Sequence, residues 1–79
     1  MSYGTVKEEL KQLCENGWDL SFIYNGIVCG IFPKTSNDFS VYIGNQEFHA
    51  SSYDELVTLE IEGTKLPDII KNSTEIQYY

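Results

Sequence analysis

The sequence predicts an α+β fold, with an N-terminal helix, a four-stranded antiparallel meander, and short C-terminal helices packed on one face of the sheet. Two apolar segments flank Asn25-Gly26, two more flank Gly44-Asn45, and capping signals mark helices on either side of the strands. A chain of 79 residues has room for one hydrophobic core, and 42% hydrophobic residues favour a folded chain over a disordered one. We therefore expect residues 1–79 to form a single domain.

The first element is an amphipathic helix over residues 5–17. Thr5 and Glu8 have the spacing of a capping box, and Asn16-Gly17 is a typical helix end. The apolar residues at helical spacing are Val6, Leu10, Leu13 and Cys14. One side of this helix should therefore be buried against the sheet.

The Asn25-Gly26 pair predicts a β-hairpin over residues 18–33. A type I′ turn needs positive φ at both central residues, which Gly adopts freely and Asn tolerates. A two-residue turn fixes the register and therefore the two faces of the ribbon. The predicted core face carries Trp18, Leu20, Phe22, Tyr24, Ile27, Cys29 and Ile31. The opposite face carries Ile23, Val28 and Phe32 among polar residues and Gly30.

A second strand pair follows a turn cluster at residues 33–38. Residues 39–43 alternate strictly, and Gly44-Asn45 turns the chain into residues 46–50. The core face should hold Phe39, Val41, Ile43, Phe48 and Ala50, and the other face should hold Ser40, Tyr42, Glu47 and His49. These strands complete the meander.

The C-terminal third predicts short helices and a final extended segment. Ser52 and Glu55 form a second capping box, and Thr64 is a candidate cap for a helical segment with Pro67 in its first turn. Residues 60–63 should be extended between these helices. Residues 75–79 have strand composition, and we expect them either to form a fifth strand at the sheet edge or to pack beneath the sheet.

The charge of the chain limits the classes of partner. Twelve acidic residues against five lysines give a net charge of −7, which disfavours direct binding to nucleic acid or to an anionic membrane. Residues 44–79 carry seven acids and two lysines, so the acidic excess lies towards the C-terminus. No segment approaches the roughly 20 apolar residues of a membrane span, and no signal-peptide pattern is present, so we expect a cytoplasmic protein.

Side chains that could support catalysis or metal binding are few and separated. Cys14, Cys29 and His49 lack the close pairing of zinc ligands, and the predicted register puts Cys29 and His49 on opposite faces of the sheet. Glu60 and Glu62 have no apolar pocket around just one of them that would separate their pKa values. The sequence therefore predicts a protein that is not an enzyme and that uses no metal or cofactor.

The remaining candidate site is a binding surface for a protein partner with a basic surface. Large apolar side chains lie on the sheet face that a one-sided meander leaves in water, unless the C-terminal strand covers them. The predicted partner-binding residues are Ile23, Val28, Phe32, Tyr42, Glu47, Glu60, Glu62 and Asp68. The alternative is an interaction module that forms a homodimer through the same face.

Four segments carry a resemblance to a group of known proteins. They are residues 7–13 (KEELKQL), 22–26 (FIYNG), 52–56 (SYDEL) and 61–66 (IEGTKL). In these segments the chain resembles small acidic proteins of unknown function from low-GC Gram-positive bacteria and their phages or mobile elements. This resemblance implies no established activity and no site residues. In size and charge the chain is also similar to phage-encoded inhibitors of host defence, including anti-CRISPR proteins, and this likeness in bulk properties identifies no target. From the acidic charge we expect a binding protein that inhibits a nucleic-acid-binding host protein.

Overall fold

The computed structural model describes residues 3–78 and has the predicted α+β architecture. The elements in chain order are α1 (Tyr3–Asn16), β1 (Leu20–Tyr24), β2 (Ile27–Thr35), β3 (Asp38–Ile43), β4 (Gln46–Ala50), α2 (Tyr53–Thr58), β5 (Glu60–Ile61), β6 (Thr64–Lys65), α3 (Leu66–Lys71) and β7 (Thr74–Tyr78). Five of the strands form an antiparallel sheet in the order β4-β3-β2-β1-β7, and the short strands β5 and β6 form a separate hairpin. Among these elements, no helix has the length and apolar character needed to span a membrane.

Helix α1 ends as predicted but begins earlier. Gly17 has a left-handed φ of 69°, and the N–H groups of Gly17 and Trp18 both donate to the Leu13 carbonyl, which closes the last turn. The helix already includes Tyr3, so the prediction of Thr5 as its cap is wrong. A capping-box spacing inside a helix is not a start signal when the preceding residues also become helical.

The hairpin register predicted from Asn25-Gly26 is confirmed. Leu20 lies opposite Ile31 and Phe22 opposite Cys29, and all four residues are buried. Two other predicted core-face residues are exposed. Trp18 is 38% exposed because β1 begins only at Leu20, so the alternation does not extend back to it. Ile27 is 43% exposed and directly follows the Asn25-Gly26 turn.

The second strand pair also has the predicted register, with Ile43 opposite Gln46 across a two-residue turn and Val41 opposite Phe48. The predicted turn at residues 33–38 is shorter in the structure. Strand β2 continues to Thr35, and its pairing with β3 shifts in register between Pro33 and Thr35. A bulge is one of the places where a strand tolerates a proline.

The C-terminal helices pack on the same face of the sheet as α1. Ser52 caps α2 by accepting a hydrogen bond from the Glu55 N–H at 3.1 Å, as predicted. Pro67 lies in the first turn of α3, also as predicted. The prediction of Thr64 as a cap is wrong, because Thr64 lies in β6 opposite Ile61 and Lys65 holds the capping position.

The last strand, β7, joins the edge of the sheet beside β1. Of the two expected arrangements for residues 75–79, the structure therefore has the edge strand, and Tyr79 lies outside the described residues. The core lies between the sheet and the three helices. Its largest fully buried side chains are Phe22, Phe39, Leu10, Leu13, Leu20, Ile31, Leu56, Leu66, Ile69, Ile70, Val6 and Val41.

Candidate functional site

The face of the sheet opposite the helices, here called the outer face, carries a group of large apolar side chains. Strand alternation places Ile23, Val28, Phe32 and Tyr42 on this face, and these four residues are called the outer patch. Val28 is 67% exposed and Phe32 is 37% exposed, while Ile23 and Tyr42 are half-buried. Strand β7 lies beside β1 instead of over it, so the C-terminal strand leaves the patch open.

A glycine beneath Phe32 determines the shape of the outer patch. A Cβ atom at Gly30 would lie 2.8 Å from Cε2 of the Phe32 ring, so the ring lies directly over the glycine. Tyr42 is opposite Gly30 on β3, and its ring centroid is 5.6 Å from that of Phe32. This centroid separation is typical of a favourable aromatic contact. The two rings therefore form one continuous apolar surface.

Charged and polar groups border the outer patch on the β4 side. The Tyr42 hydroxyl donates to Oε2 of Glu47 at 3.2 Å, and Nε2 of His49 lies 3.2 Å from the same oxygen. Nδ1 of His49 lies 3.7 Å from Oδ1 of Asp38. These side chains are exposed or half-exposed, so their charges remain hydrated. The arrangement suits recognition of a cationic partner at the border of an apolar contact.

Ser40 is a buried polar residue on the outer face. It lies between Phe32 on β2 and His49 on β4, and its hydroxyl has no hydrogen-bond partner among the described residues. An unsatisfied buried hydroxyl costs about 1 to 3 kcal/mol. Ser40 therefore does not stabilise the sheet through its hydroxyl, and its small size leaves room for the larger side chains beside it.

The other predicted partner-binding residues lie away from the outer patch. Glu60 is on β5, Glu62 is in the β5–β6 turn, and Asp68 is in the first turn of α3. Helix α3 packs against α1, α2 and β1, which places this segment on the helix side of the sheet. Glu47 is the one predicted acidic residue that the structure brings into contact with the patch.

The cysteines are separated from the histidine, as the register predicts. Cys29 is buried on the core side, whereas His49 is exposed on the outer face. Burial, and secondarily the charge of Glu15, raises the pKa of the Cys14 thiol to about 11. Burial is also the main cause that raises the pKa of Cys29. Both thiols are therefore protonated and weakly nucleophilic near neutral pH.

The structure also contains a cleft that sequence reasoning missed, here called the turn cleft. It has a volume of about 520 Å³ and lies where three two-residue turns meet: Asn25-Gly26, Gly44-Asn45 and Glu62-Gly63. Ile27 is one of its lining residues, which accounts for the exposure of that side chain. The first two turns were predictable, but their proximity to the third depends on the packing of α2 and α3.

Comparisons of the chain with protein-family models, with curated proteins and with solved structures find no match. The features of the molecule that indicate a function are therefore the outer patch, the turn cleft and the net charge.

Proposed function

We propose that this chain is a non-enzymatic binding protein whose outer patch occupies a protein partner with a basic surface. The observation that carries the proposal is the exposure of Val28 and Phe32 on a sheet face that no other element of residues 3–78 covers. Neither side chain contributes to the core between sheet and helices. A contiguous exposed apolar surface bordered by polar groups is characteristic of protein interfaces.

The patch has the composition that supplies binding free energy. Complete burial of a valine or phenylalanine side chain contributes about 1.5 to 3 kcal/mol, and aromatic residues near the centre of an interface often dominate its affinity. Phe32 and Tyr42 already contact each other across Gly30, so little side-chain freedom remains to be lost on binding. Val28 supplies the most exposed apolar surface beside them.

The charges favour a basic partner. Glu47 and Asp38 border the patch, and the whole chain carries a net charge of −7. Basic protein surfaces commonly bind nucleic acid, because Lys and Arg neutralise the phosphates. An acidic protein on such a surface would exclude the nucleic acid, and this is the mode of inhibition that we propose for a nucleic-acid-binding host protein.

A homodimer through the outer patch is the alternative use of the same surface. A two-fold dimer would bring two copies of one face together, including Glu47 and Asp38 from each copy. Like charges at such an interface oppose association, and the basic side chain seen in contact with both carboxylates is His49. The charge border therefore favours a different, basic partner over self-association.

The test is affinity capture from a host lysate with three forms of the chain. Val28→Lys places a charge in the patch, whereas Gln12→Lys makes the same change of charge at an exposed position on α1. We expect the wild type and Gln12→Lys to capture one protein stoichiometrically and Val28→Lys to lose it. The captured protein should release nucleic acid on binding the chain, measured by fluorescence anisotropy of a labelled oligonucleotide.

Capture that is equal with all three forms would contradict a role for the outer patch. Sedimentation of the purified chain at tens of micromolar provides the second measurement. A dimer that Val28→Lys converts to a monomer, with no change in the captured protein, would assign the patch to self-association instead.

A further inference from the structure

The turn cleft combines an apolar wall with one charge. The apolar wall consists of the exposed Ile27, the half-buried Ile43 and the ring of Tyr24, together with Ile61 and Ile69, which are almost completely buried. The polar lining residues carry side-chain amides and the hydroxyls of Tyr24 and Thr64, together with the carboxylate of Glu62. No basic side chain of residues 3–78 lines the cleft. The volume of about 520 Å³ lies within the range of roughly 300 to 1,000 Å³ found for binding pockets.

The backbone at Glu62 is unusual for its residue type. Glu62 and Gly63 have φ values of 54° and 83°, so both are left-handed, as are Asn25 and Gly26 in the first hairpin. Asn, Asp and Gly are the residues that ordinarily occupy the first position of such a turn. A glutamate there is destabilising relative to any of them, because its Cβ crowds the backbone and its longer side chain makes no local hydrogen bond that compensates. The chain thus keeps a long carboxylate side chain at the cleft where a shorter residue would give a more stable turn.

We propose that the turn cleft binds a lysine or arginine side chain of the partner protein. The aliphatic part of that side chain would lie along the apolar wall, and its cationic end would pair with the Glu62 carboxylate. Long basic side chains bury their methylene groups in this way while their charge stays near water. The side-chain oxygens of Asn45 and Gln46 are further acceptors at the border of the cleft. The inference rests on the proposed function for the source of the side chain, a basic protein.

The first experiment uses a blocked lysine, N-acetyl-lysine methylamide, titrated into the ¹⁵N-labelled full chain. The matched neutral probe is blocked norleucine, which keeps the aliphatic chain and lacks the ammonium group. We expect the lysine probe to shift the amide signals of the three turns and to bind more tightly than norleucine. Because an acidic protein attracts any cation diffusely, the position of the shifts decides the result.

Two variants test the role of the carboxylate. Glu62→Gln should weaken binding of the lysine probe about fivefold, the upper range for an exposed ion pair. Glu8→Gln removes the same charge from an exposed residue on α1 that does not line the cleft, and it should leave the affinity unchanged. Shifts spread over the acidic surface, equal binding of norleucine, or equal effects of the two variants would overturn the proposal.

A third variant separates binding from stability. Glu62→Asn should raise the melting temperature by about 4 °C, because Asn tolerates the left-handed conformation, and should weaken probe binding as Glu62→Gln does. A lower melting temperature would show that the Glu62 carboxylate stabilises the turn. That result would contradict the inference that Glu62 is kept at this position for binding.

The roles proposed for the turn cleft and for the outer patch can be disproved independently of each other. Val28→Lys should abolish partner binding and leave the lysine probe in the cleft. A partner that requires Val28 but binds Glu62→Gln with wild-type affinity would overturn the cleft as a subsite and leave the proposed function in place. Probe binding at the cleft without any partner that depends on Val28 would remove the proposed function instead.

Discussion

At the scale of single residues, burial divides the aromatic side chains into those of the core and those of the surface. Phe22 is completely buried between the sheet and the helices, whereas Trp18 is 38% exposed at the start of the sheet. Phe22→Ala should therefore lower the free energy of unfolding by about 3 to 5 kcal/mol, since it leaves a large cavity. Trp18→Ala should cost only about 1 kcal/mol.

Chemical denaturation of both variants measures this difference. A domain of this size has a total stability of about 5 to 15 kcal/mol, so the Phe22 variant should show a much lower denaturation midpoint. Equal losses for the two variants would mean that Trp18 supports the fold in a way that its exposure does not reveal.

The core residues that could be predicted from the sequence are those whose strand register is set by a two-residue turn. Asn25-Gly26 fixes the pairing of β1 with β2, and Gly44-Asn45 fixes that of β3 with β4, so Leu20, Phe22 and Val41 could be assigned to the core from the sequence. Trp18 could not be assigned correctly, because periodicity does not show where a strand begins.

The candidate site was predictable to a similar degree. The residues of the outer patch follow from strand alternation, and their exposure depended on which of two positions the C-terminal strand adopts. The turn cleft was not predictable, because it is formed by three turns that are distant in sequence. Gly63 was the available signal for its third turn, but a glutamate before the glycine is not a common turn pair.

At the scale of elements, the last strand is held by contacts with α1 as well as by its pairing with β1. The Tyr78 hydroxyl donates to Oε2 of Glu9 at 2.6 Å, and the Tyr78 ring makes an edge contact with Trp18 at a centroid distance of 6.1 Å. Burial, followed by the hydrogen bond and the charge of Glu9, raises the pKa of Tyr78 well above its usual value. The folded chain therefore keeps this phenol protonated at a pH where the unfolded chain loses the proton.

This shift predicts a loss of stability in alkaline solution. The contribution of Tyr78 is fully present below the ordinary tyrosine pKa of about 10 and decreases as the pH rises above it, because the unfolded state then binds fewer protons. Cys14 acts in the same direction, from the ordinary thiol pKa up to about 11. We expect the melting temperature to fall between pH 9 and 11, and Tyr78→Phe to reduce that fall.

Two neighbouring glutamates on α1, Glu9 and Glu8, provide a variant and its matched control for this prediction. Glu9→Gln should reduce the alkaline loss partly, because burial still raises the pKa of Tyr78, whereas Glu8→Gln changes an exposed neighbouring residue and should have no effect. An unchanged slope in Tyr78→Phe would contradict the assignment and would leave the thiols of Cys14 and Cys29 as the groups responsible.

At the scale of the whole molecule, the sheet separates two kinds of surface. The outer patch faces one side, and the acidic residues Glu60 and Asp68 belong to the segments on the helix side. Contact with a partner at the patch need not include these acids. Their field still acts over about 8 to 10 Å at ordinary ionic strength, so they contribute to the approach of a basic partner.

The two surfaces should therefore affect different rate constants of the same complex. Val28→Lys introduces a charge into a desolvated contact and should mainly accelerate dissociation, because most mutations within an interface act on that rate. Glu60→Lys combined with Asp68→Lys replaces one negative with one positive charge at each site, so the net charge of −7 becomes −3. This pair should slow association and flatten its dependence on salt. Surface plasmon resonance at several salt concentrations measures both constants, and a double variant that mainly accelerates dissociation would place these acids within the interface instead of at a distance from it.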